Sequence, residues 1–254
     1  MYKTAVLALD LSPAAEPLLE CAAGLRHWGV GRLIITHVVR IGYGQEPGDR
    51  ALQEIREWLE GRAARLRGPD LRVEALVQAA GSPTQGILEV SHEANADLIV
   101  VGSRSHNLVS RLFLGSVARD MVRRTTLPLL LEWLEPVDHG NVPSCAAVCA
   151  DTLRHVLVAT DLSKHAGAAE RAAVALAARA QQVDCLAVLT AEAVDATPAL
   201  PLMARAALGA LVARIDPILA RPEVTPLMQV WWRTHLSFWH YINGRYGEST
   251  AVMA

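Results

Sequence analysis

Short apolar runs alternate with longer amphipathic segments through the first half of the chain. Between the runs, apolar residues recur every three or four positions, as they do on one face of a helix. Strands that alternate with helices predict a parallel sheet covered on both faces. The runs predict five buried strands, at residues 4–9, 33–39, 71–77, 97–101 and 126–132. The intervening segments predict four helices, starting at Pro13 and spanning residues 51–67, 83–94 and 115–124.

Two of these helices follow the same start signal. Ser12-Pro13 and Ser82-Pro83 each place a capping hydroxyl before a proline, which fits the first turn of a helix. We therefore expect helices to begin at Pro13 and at Pro83.

The opening pattern of the chain recurs about 150 residues later. HVLVATDLS at residues 155–163 matches TAVLALDLS at residues 4–12, so Asp161 falls on Asp10. Further helices and strands follow as far as residue 230, but no counterpart of DLIVVG appears. The sequence thus predicts a complete domain at residues 1–135, a linker at 136–150, a partial second domain at 151–230 and an aromatic tail at 231–254. Two interpretations of the tail stay open: a partner-binding patch, or a poorly ordered terminus produced by a frame change.

Composition narrows the possible partners. Of the 254 residues, 52% are hydrophobic and 20% are charged, which suits a folded chain with a sizeable core. A net charge of -2 provides no basic field for nucleic acid or anionic lipid. No secretory signal and no apolar run long enough for a membrane span is visible. The four cysteines lack metal-binding spacing, so we expect reduced thiols in a cytoplasmic protein.

The stretch from Gly102 to Ser116, GSRSHNLVSRLFLGS, carries the candidate chemistry. It lies between a predicted strand and a predicted helix. Glycine lets the backbone approach an anion closely, and a helix N-terminus favours negative charge. Ser116 could cap that helix or donate its hydroxyl to a phosphate oxygen. Taken alone, the stretch is equally consistent with a phosphate cradle and with a glycine-rich turn that binds nothing.

The DLS after the first strand and this loop after the fourth resemble the universal stress protein family. The nucleotide motif of that family is G-x2-G-x9-G-[S/T]; Gly102 and Gly115-Ser116 match it, whereas Ser105 stands at its second glycine. The resemblance implies a doubly wound, five-stranded parallel α/β sheet of the adenine nucleotide α-hydrolase type. It also implies a tandem form, in which a truncated second unit of the same type follows.

The same resemblance implies an ATP site in the first domain, with Mg²⁺ as an accompanying ion. In ATP-binding members, the position of Asp10 lies by the ribose and the position of Val38 by the adenine. Gly102, Ser105, Gly115 and Ser116 would surround the phosphates, and Val117 would offer an amide. Asp10 has a second interpretation, as the cap of the turn before Ser12. His37 lies within an apolar strand, which favours a hydrogen-bonded core histidine over a catalyst.

The functional prediction is an ATP-binding stress-response regulator with one nucleotide site, in the first domain. Its partners would be ATP and either a second copy of the chain or its own second unit. The alternative is a scaffold or dimerisation module of the same family that binds no nucleotide. Ser105 and the partial second unit favour this alternative. No P-loop, nucleophile elbow or HExxH motif is present, so we predict no catalytic residue, no metal site and at most slow ATP hydrolysis.

Overall fold

The computed structural model divides the chain into two compact units, at residues 1–152 and 153–254. It describes residues 2–42, 48–103, 114–132, 134–136, 143–145, 153–215, 224–233 and 237–242. Side chains are described for residues 2–42, 48–103, 114–132 and 153–215.

The first unit is built on a five-stranded parallel sheet. Its strands are β1 (Thr4–Ala8), β2 (Arg32–Arg40), β3 (Arg72–Ala80), β4 (Leu98–Gly102) and β5 (Leu129–Glu132). They lie in the order β3-β2-β1-β4-β5, and each neighbouring pair is parallel. The predicted α/β sheet with five parallel strands is confirmed.

Four helices connect these strands. They are α1 (Ala15–Ala23), α2 (Asp49–Leu66), α3 (Pro83–Glu93) and α4 (Ser116–Arg124). The predicted start of α3 is confirmed, because Ser82 accepts a hydrogen bond from the amide of Gln85 and Pro83 is the first helical residue. The predicted start of α1 at Pro13 is wrong.

A local turn delays α1. The amide of Ser12 donates to Asp10 Oδ1 at 3.3 Å, and the amide of Ala14 donates to Ser12 Oγ at 3.2 Å. These side-chain contacts hold residues 10–14 in a turn, so the helix begins only at Ala15. A 3-10 turn, Gly24–Trp28, then extends α1 and ends at Gly29, whose φ of 94° lies in the left-handed region that glycine tolerates.

Both faces of the sheet are buried. Val6, Ile34 and Ile99 pack on the side where α3 contributes Ile87 and Val90. Leu7, Leu33 and Ile35 alternate with these residues along the strands and are fully buried as well. Burial on two faces explains why the strand sequences read as continuous apolar runs.

Glu74 on β3 joins two strands of this sheet through ion pairs. Arg32 Nε and Nη2 donate to its two carboxylate oxygens at 2.8 and 3.1 Å, and Arg72 Nε lies 3.0 Å from Oε1. The hydrogen bonds from Arg32 are the main cause that lowers the pKa of Glu74. The stabilisation is therefore complete above the unfolded-state pKa and is lost as the pH falls through the lower folded-state pKa.

We expect Glu74→Gln to lower the free energy of unfolding by about 0.5 kcal/mol near neutral pH, as for other half-exposed pairs. Urea unfolding of the variant and the wild type should give the same free energy at pH values below the lowered folded-state pKa of Glu74, where the carboxylate is protonated. Glu93→Gln, on the exposed end of α3, serves as the control and should change nothing. A stability loss in Glu74→Gln that is independent of pH would contradict this account.

Two short strands lie at the start of the predicted linker and within it. They are β6 (Leu134–Pro136) and β7 (Pro143–Cys145), which pair in antiparallel fashion. The second unit follows, with β8 (His155–Thr160), β9 (Gln182–Thr190), β10 (Val224–Arg233) and β11 (Ser237–Ile242). Its helices are α5 (Gly167–Ala177), α6 (Ala191–Ala196) and α7 (Leu200–Ile215).

The sheet of the second unit has the order β11-β10-β9-β8. Its first three strands in chain order are parallel, whereas β11, within the predicted tail, is antiparallel to β10. In the part of the chain that the structure describes, β8 pairs only with β9. Its counterpart in the first unit, β1, pairs with both β2 and β4.

The thiol prediction needs a correction. Cys21, buried in α1, is disulfide-bonded, and its partner lies outside the residues whose side chains are described. Sequence spacing does not reveal such a pair, because it depends on which segments meet in space. Cys185 is a free, buried thiol, and burial is the main cause that raises its pKa to about 11. None of the described helices is long and apolar enough to cross a membrane.

Candidate functional site

A cavity of about 190 Å³ opens at the carboxyl ends of β1, β2 and β4. The chain leaves β1 in one direction to form β2 and β3, and β4 and β5 lie on the other side of β1. Such a switch point leaves a crevice outside the strand ends, where open α/β sheets bind ligands. The topology therefore places this cavity at the most favourable position for a ligand site.

Six of the seven residues predicted for the nucleotide site line this one cavity. They are Asp10, Val38, Gly102, Gly115, Ser116 and Val117. The seventh, Ser105, lies outside the described residues. The six come from four separate segments of the chain, so only the fold brings them together.

Asp10 sits in the cavity wall directly after β1. Its Oδ1 accepts hydrogen bonds from both the amide and the hydroxyl of Ser12. The interpretation of Asp10 as the cap of this turn is therefore correct. The turn also fixes the carboxylate at the cavity, where it can accept hydrogen bonds from ligand hydroxyls.

His37 is a wall residue that the sequence placed only in the core. Its Nδ1 donates to the carbonyl oxygen of Leu9 at 2.8 Å, which ties the end of β2 to the segment after β1. The predicted hydrogen bond exists, but the ring also lines the cavity. With Nδ1 engaged, Nε2 is the ring nitrogen that a ligand can address.

Backbone groups form the other end of the cavity. The amide of Ser103 donates to the carbonyl of Glu132 at 2.8 Å, and the amide of Gly115 donates to the carbonyl of Ser103 at 2.8 Å. These two bonds hold the start of α4 beside the end of β4. The N-cap of α4 is Gly115, which has no side chain to cap the helix. The suggestion that Ser116 caps α4 is therefore wrong, since Ser116 is the first helical residue.

The first turn of α4 lies at the cavity. The first turn of any helix has N–H groups without intrahelical acceptors, and the helix dipole makes this end partly positive. Ser116 and Val117 lie in that turn and line the cavity. This end of the cavity is suited to an anion.

An apolar slot forms the rest of the wall. Besides Val38 it contains Leu18 from α1, and Pro83 and Ile87 from α3. Sequence analysis missed these three, because their spacing marks them as core or helix-start residues and not as cavity wall. An apolar slot next to a carboxylate and a helix N-terminus fits a ligand with three parts: a flat, weakly polar ring, hydroxyl groups and an anionic group.

The sequence profile of the universal stress protein family matches residues 1–131, more than half of the chain. The chain belongs to the universal stress protein family. Its match to the "Universal stress protein in QAH/OAS sulfhydrylase 3'region" of Thermus aquaticus is 32% identical over 137 residues, covering 52% of this chain and 98% of the relative.

Solved universal stress proteins share the fold. One from Archaeoglobus fulgidus DSM 4304 superimposes with a TM-score of 0.62 at 23% identity, over 89% of this chain and 76% of its own. A second A. fulgidus protein, solved in complex with dAMP, is 28% identical, with a TM-score of 0.40 over 51% of this chain and 97% of its own.

The second unit lies beyond the segment that matches the universal stress protein profile. Asp161 nevertheless forms the same turn as Asp10, since its Oδ1 accepts from the amide of Ser163 at 2.9 Å. Hydrogen bonds from Ser163 are the main cause that lowers the pKa of this exposed carboxyl. Among the described residues of this unit, no strand and helix correspond to β4 and α4. The turn is thus present there without the anion-binding end of the cavity.

Proposed function

We propose that the first unit binds ATP as a regulatory ligand in a stress response, with one site per chain. The observation that carries this proposal is the convergence of six predicted residues on one cavity at the topological switch point. Family membership supports it. Location in the cytoplasm stays a prediction.

In this proposal the adenine lies in the slot between Val38 and Ile87, and the ribose hydroxyls reach Asp10. The phosphates extend towards the N-terminus of α4, where the amides of the first helical turn favour negative charge. The described cavity, at about 190 Å³, is smaller than the roughly 300–1,000 Å³ of complete small-molecule sites. It therefore suits the base and ribose, with the phosphates at its open end.

Magnesium would arrive with the nucleotide. Among the described residues, no group of three or more His, Cys, Asp or Glu side chains could hold a metal ion. Mg²⁺ commonly binds through substrate phosphates and water with few protein ligands, so ATP can supply its main contacts. The proposal assigns no catalytic residue.

Ligand-dependent thermal unfolding tests the proposal. A ligand that binds only the folded state stabilises it by about 2.7 kcal/mol at a hundredfold excess over Kd. The melting temperature of the full chain should therefore rise steadily with ATP concentration. Inorganic tripolyphosphate should raise it less, because it lacks the base and ribose. A melting temperature independent of ATP would contradict the proposal.

A dimerisation module is the second candidate function, and the exposed sheet of the second unit favours it. Leu157 on β8 and Val188 on β9 are 56% and 47% exposed. The repeat and the strand register align them with Val6 and Val38 of the first unit, which are 0% and 8% exposed. This surface is core in the first unit and exposed in the second, and among the described strands β8 pairs on one side only. Such a surface suits a second copy of the chain.

Leu157→Lys is expected to weaken self-association of the chain by at least about tenfold, because a charge at a buried apolar interface must be desolvated. Sedimentation equilibrium over a range of concentrations measures this. Leu202→Lys, at a 74% exposed position on α7, is the matched control and should associate like the wild type. A wild type that stays monomeric throughout would refute the dimer proposal.

A further inference from the structure

Gly86 lies in α3, at the point where this helix packs on the sheet. A Cβ at this position would lie 2.6 Å from Val38 Cγ1, 2.9 Å from Val38 Cγ2 and 3.1 Å from the Cβ of Ala80. Carbon atoms in ordinary contact are about 3.5–4.0 Å apart. The helix therefore lies nearer to β2 and β3 than any residue with a side chain allows.

The close approach cannot be relieved by a simple side-chain rotation. Both methyl groups of Val38 are too near, so turning one away about χ1 leaves another in its place. Ala80 closes the adjacent direction. A methyl group at position 86 must therefore displace Val38, or displace α3 itself, by about 1 Å if normal contact is to be restored.

Either displacement changes the apolar slot. Val38 is a wall of the cavity, and α3 contributes Pro83 and Ile87 to the same wall. Movement of Val38 away from Gly86, or outward movement of α3, alters the gap that these side chains leave for a flat ring. The other end of the cavity, at Gly115 and Ser116, is formed by a different helix, α4, and contains neither Val38 nor any residue of α3.

The chain also contains helical glycines without such contacts. Gly61 in α2 and Gly209 in α7 have nothing within 4 Å of an added Cβ. Glycine destabilises a helix interior relative to alanine, so alanine at position 61 should be harmless or stabilising. At position 86, by contrast, α3 can pack this closely against Val38 only because glycine has no side chain.

We propose that Gly86 is a positioning residue that sets the width of the base-binding slot through its contact with Val38. The proposal rests on the proposed nucleotide function. It deepens that function by assigning recognition of the base, separately from recognition of the phosphates, to the packing of α3 on β2.

Isothermal titration of the full chain with ATP, adenosine and inorganic tripolyphosphate tests this assignment. We expect Gly86→Ala to weaken binding of ATP and adenosine by at least about tenfold, since buried shape mismatches of this size cost that much. Binding of tripolyphosphate should stay within about twofold of the wild type, because its proposed site at the N-terminus of α4 contains neither Gly86 nor Val38. The matched control, Gly61→Ala, should bind all three ligands as the wild type does.

A rescue variant separates local packing from general damage. Val38→Ala removes both methyl groups that the new Cβ would meet, so the double variant Gly86→Ala/Val38→Ala should bind ATP within about threefold of Val38→Ala alone. This comparison also serves if Gly86→Ala does not fold by itself.

The possible results distinguish failure of the Gly86 inference from failure of the proposed function. If Gly86→Ala binds ATP as tightly as the wild type, or loses ATP and tripolyphosphate equally, the inference is wrong while the proposed function stands. The same holds if removing the Val38 methyl groups gives no rescue. If the wild-type chain binds no ATP, the proposed function fails and the inference fails with it.

Discussion

Gly115→Glu is expected to lower the affinity of the full chain for ATP by at least about 100-fold, because like charges brought together at a binding site cost several kcal/mol. Gly115 is the N-cap of α4 and lines the cavity. A carboxylate at this position would lie where the proposed phosphates meet the helix amides. It would also satisfy the positive end of the helix dipole in place of the ligand.

The backbone conformation at Gly115 tolerates a side chain, so a loss of binding in Gly115→Glu can be assigned to the added charge. Its φ of −55° is accessible to any residue, so a side chain does not strain the chain there. Gly61→Glu adds the same charge to the open surface of α2 and is the matched control. Isothermal titration should detect ATP binding to Gly61→Glu and none to Gly115→Glu. Equal binding by the two variants would place the phosphates elsewhere.

Asp10→Asn is expected to weaken ATP binding by about tenfold, since a hydrogen bond to a charged group contributes about 1.5–3 kcal/mol. Asparagine keeps an oxygen that can accept from the amide of Ser12, so the turn before α1 should persist. The change therefore removes the charge of the proposed ribose acceptor with little effect on the fold.

Two comparisons make the Asp10 prediction specific. Asp161→Asn alters the same turn in the second unit and should leave ATP affinity unchanged. The wild type should prefer ATP to 2′,3′-dideoxy-ATP, and Asp10→Asn should lose most of that preference. If both proteins discriminate equally, Asp10 does not contact the ribose and only caps its turn.

The sequence predicts the sheet of the first unit well, for a physical reason. Strands buried on both faces must be apolar at every position, and the runs ending at Ala8 and Gly102 show this without ambiguity. The start of α1 is less predictable, because the Ser12 and Asp10 side chains compete with the helix for backbone amides. A pattern of residue types does not show which set of hydrogen bonds prevails.

The residues of the candidate site were also predictable only in part. Asp10, Gly102 and Gly115 stand at strand and helix ends that a motif can mark. Pro83 and Ile87 enter the wall only through the packing of α3, which no spacing reveals. The second unit gives the converse case, because Leu157 has the sequence pattern of a core residue and is exposed. The matching residue of the first unit, Val6, is buried in a cluster to which α3 and α4 contribute.

The most direct test of the ATP proposal is isothermal titration of the full-length chain with ATP up to millimolar concentration. We predict saturable binding with one nucleotide per chain, abolished in Gly115→Glu and retained in Gly61→Glu. No heat of binding at millimolar ATP, together with an unchanged melting temperature, would contradict the proposal that the cavity beside α4 is a nucleotide site.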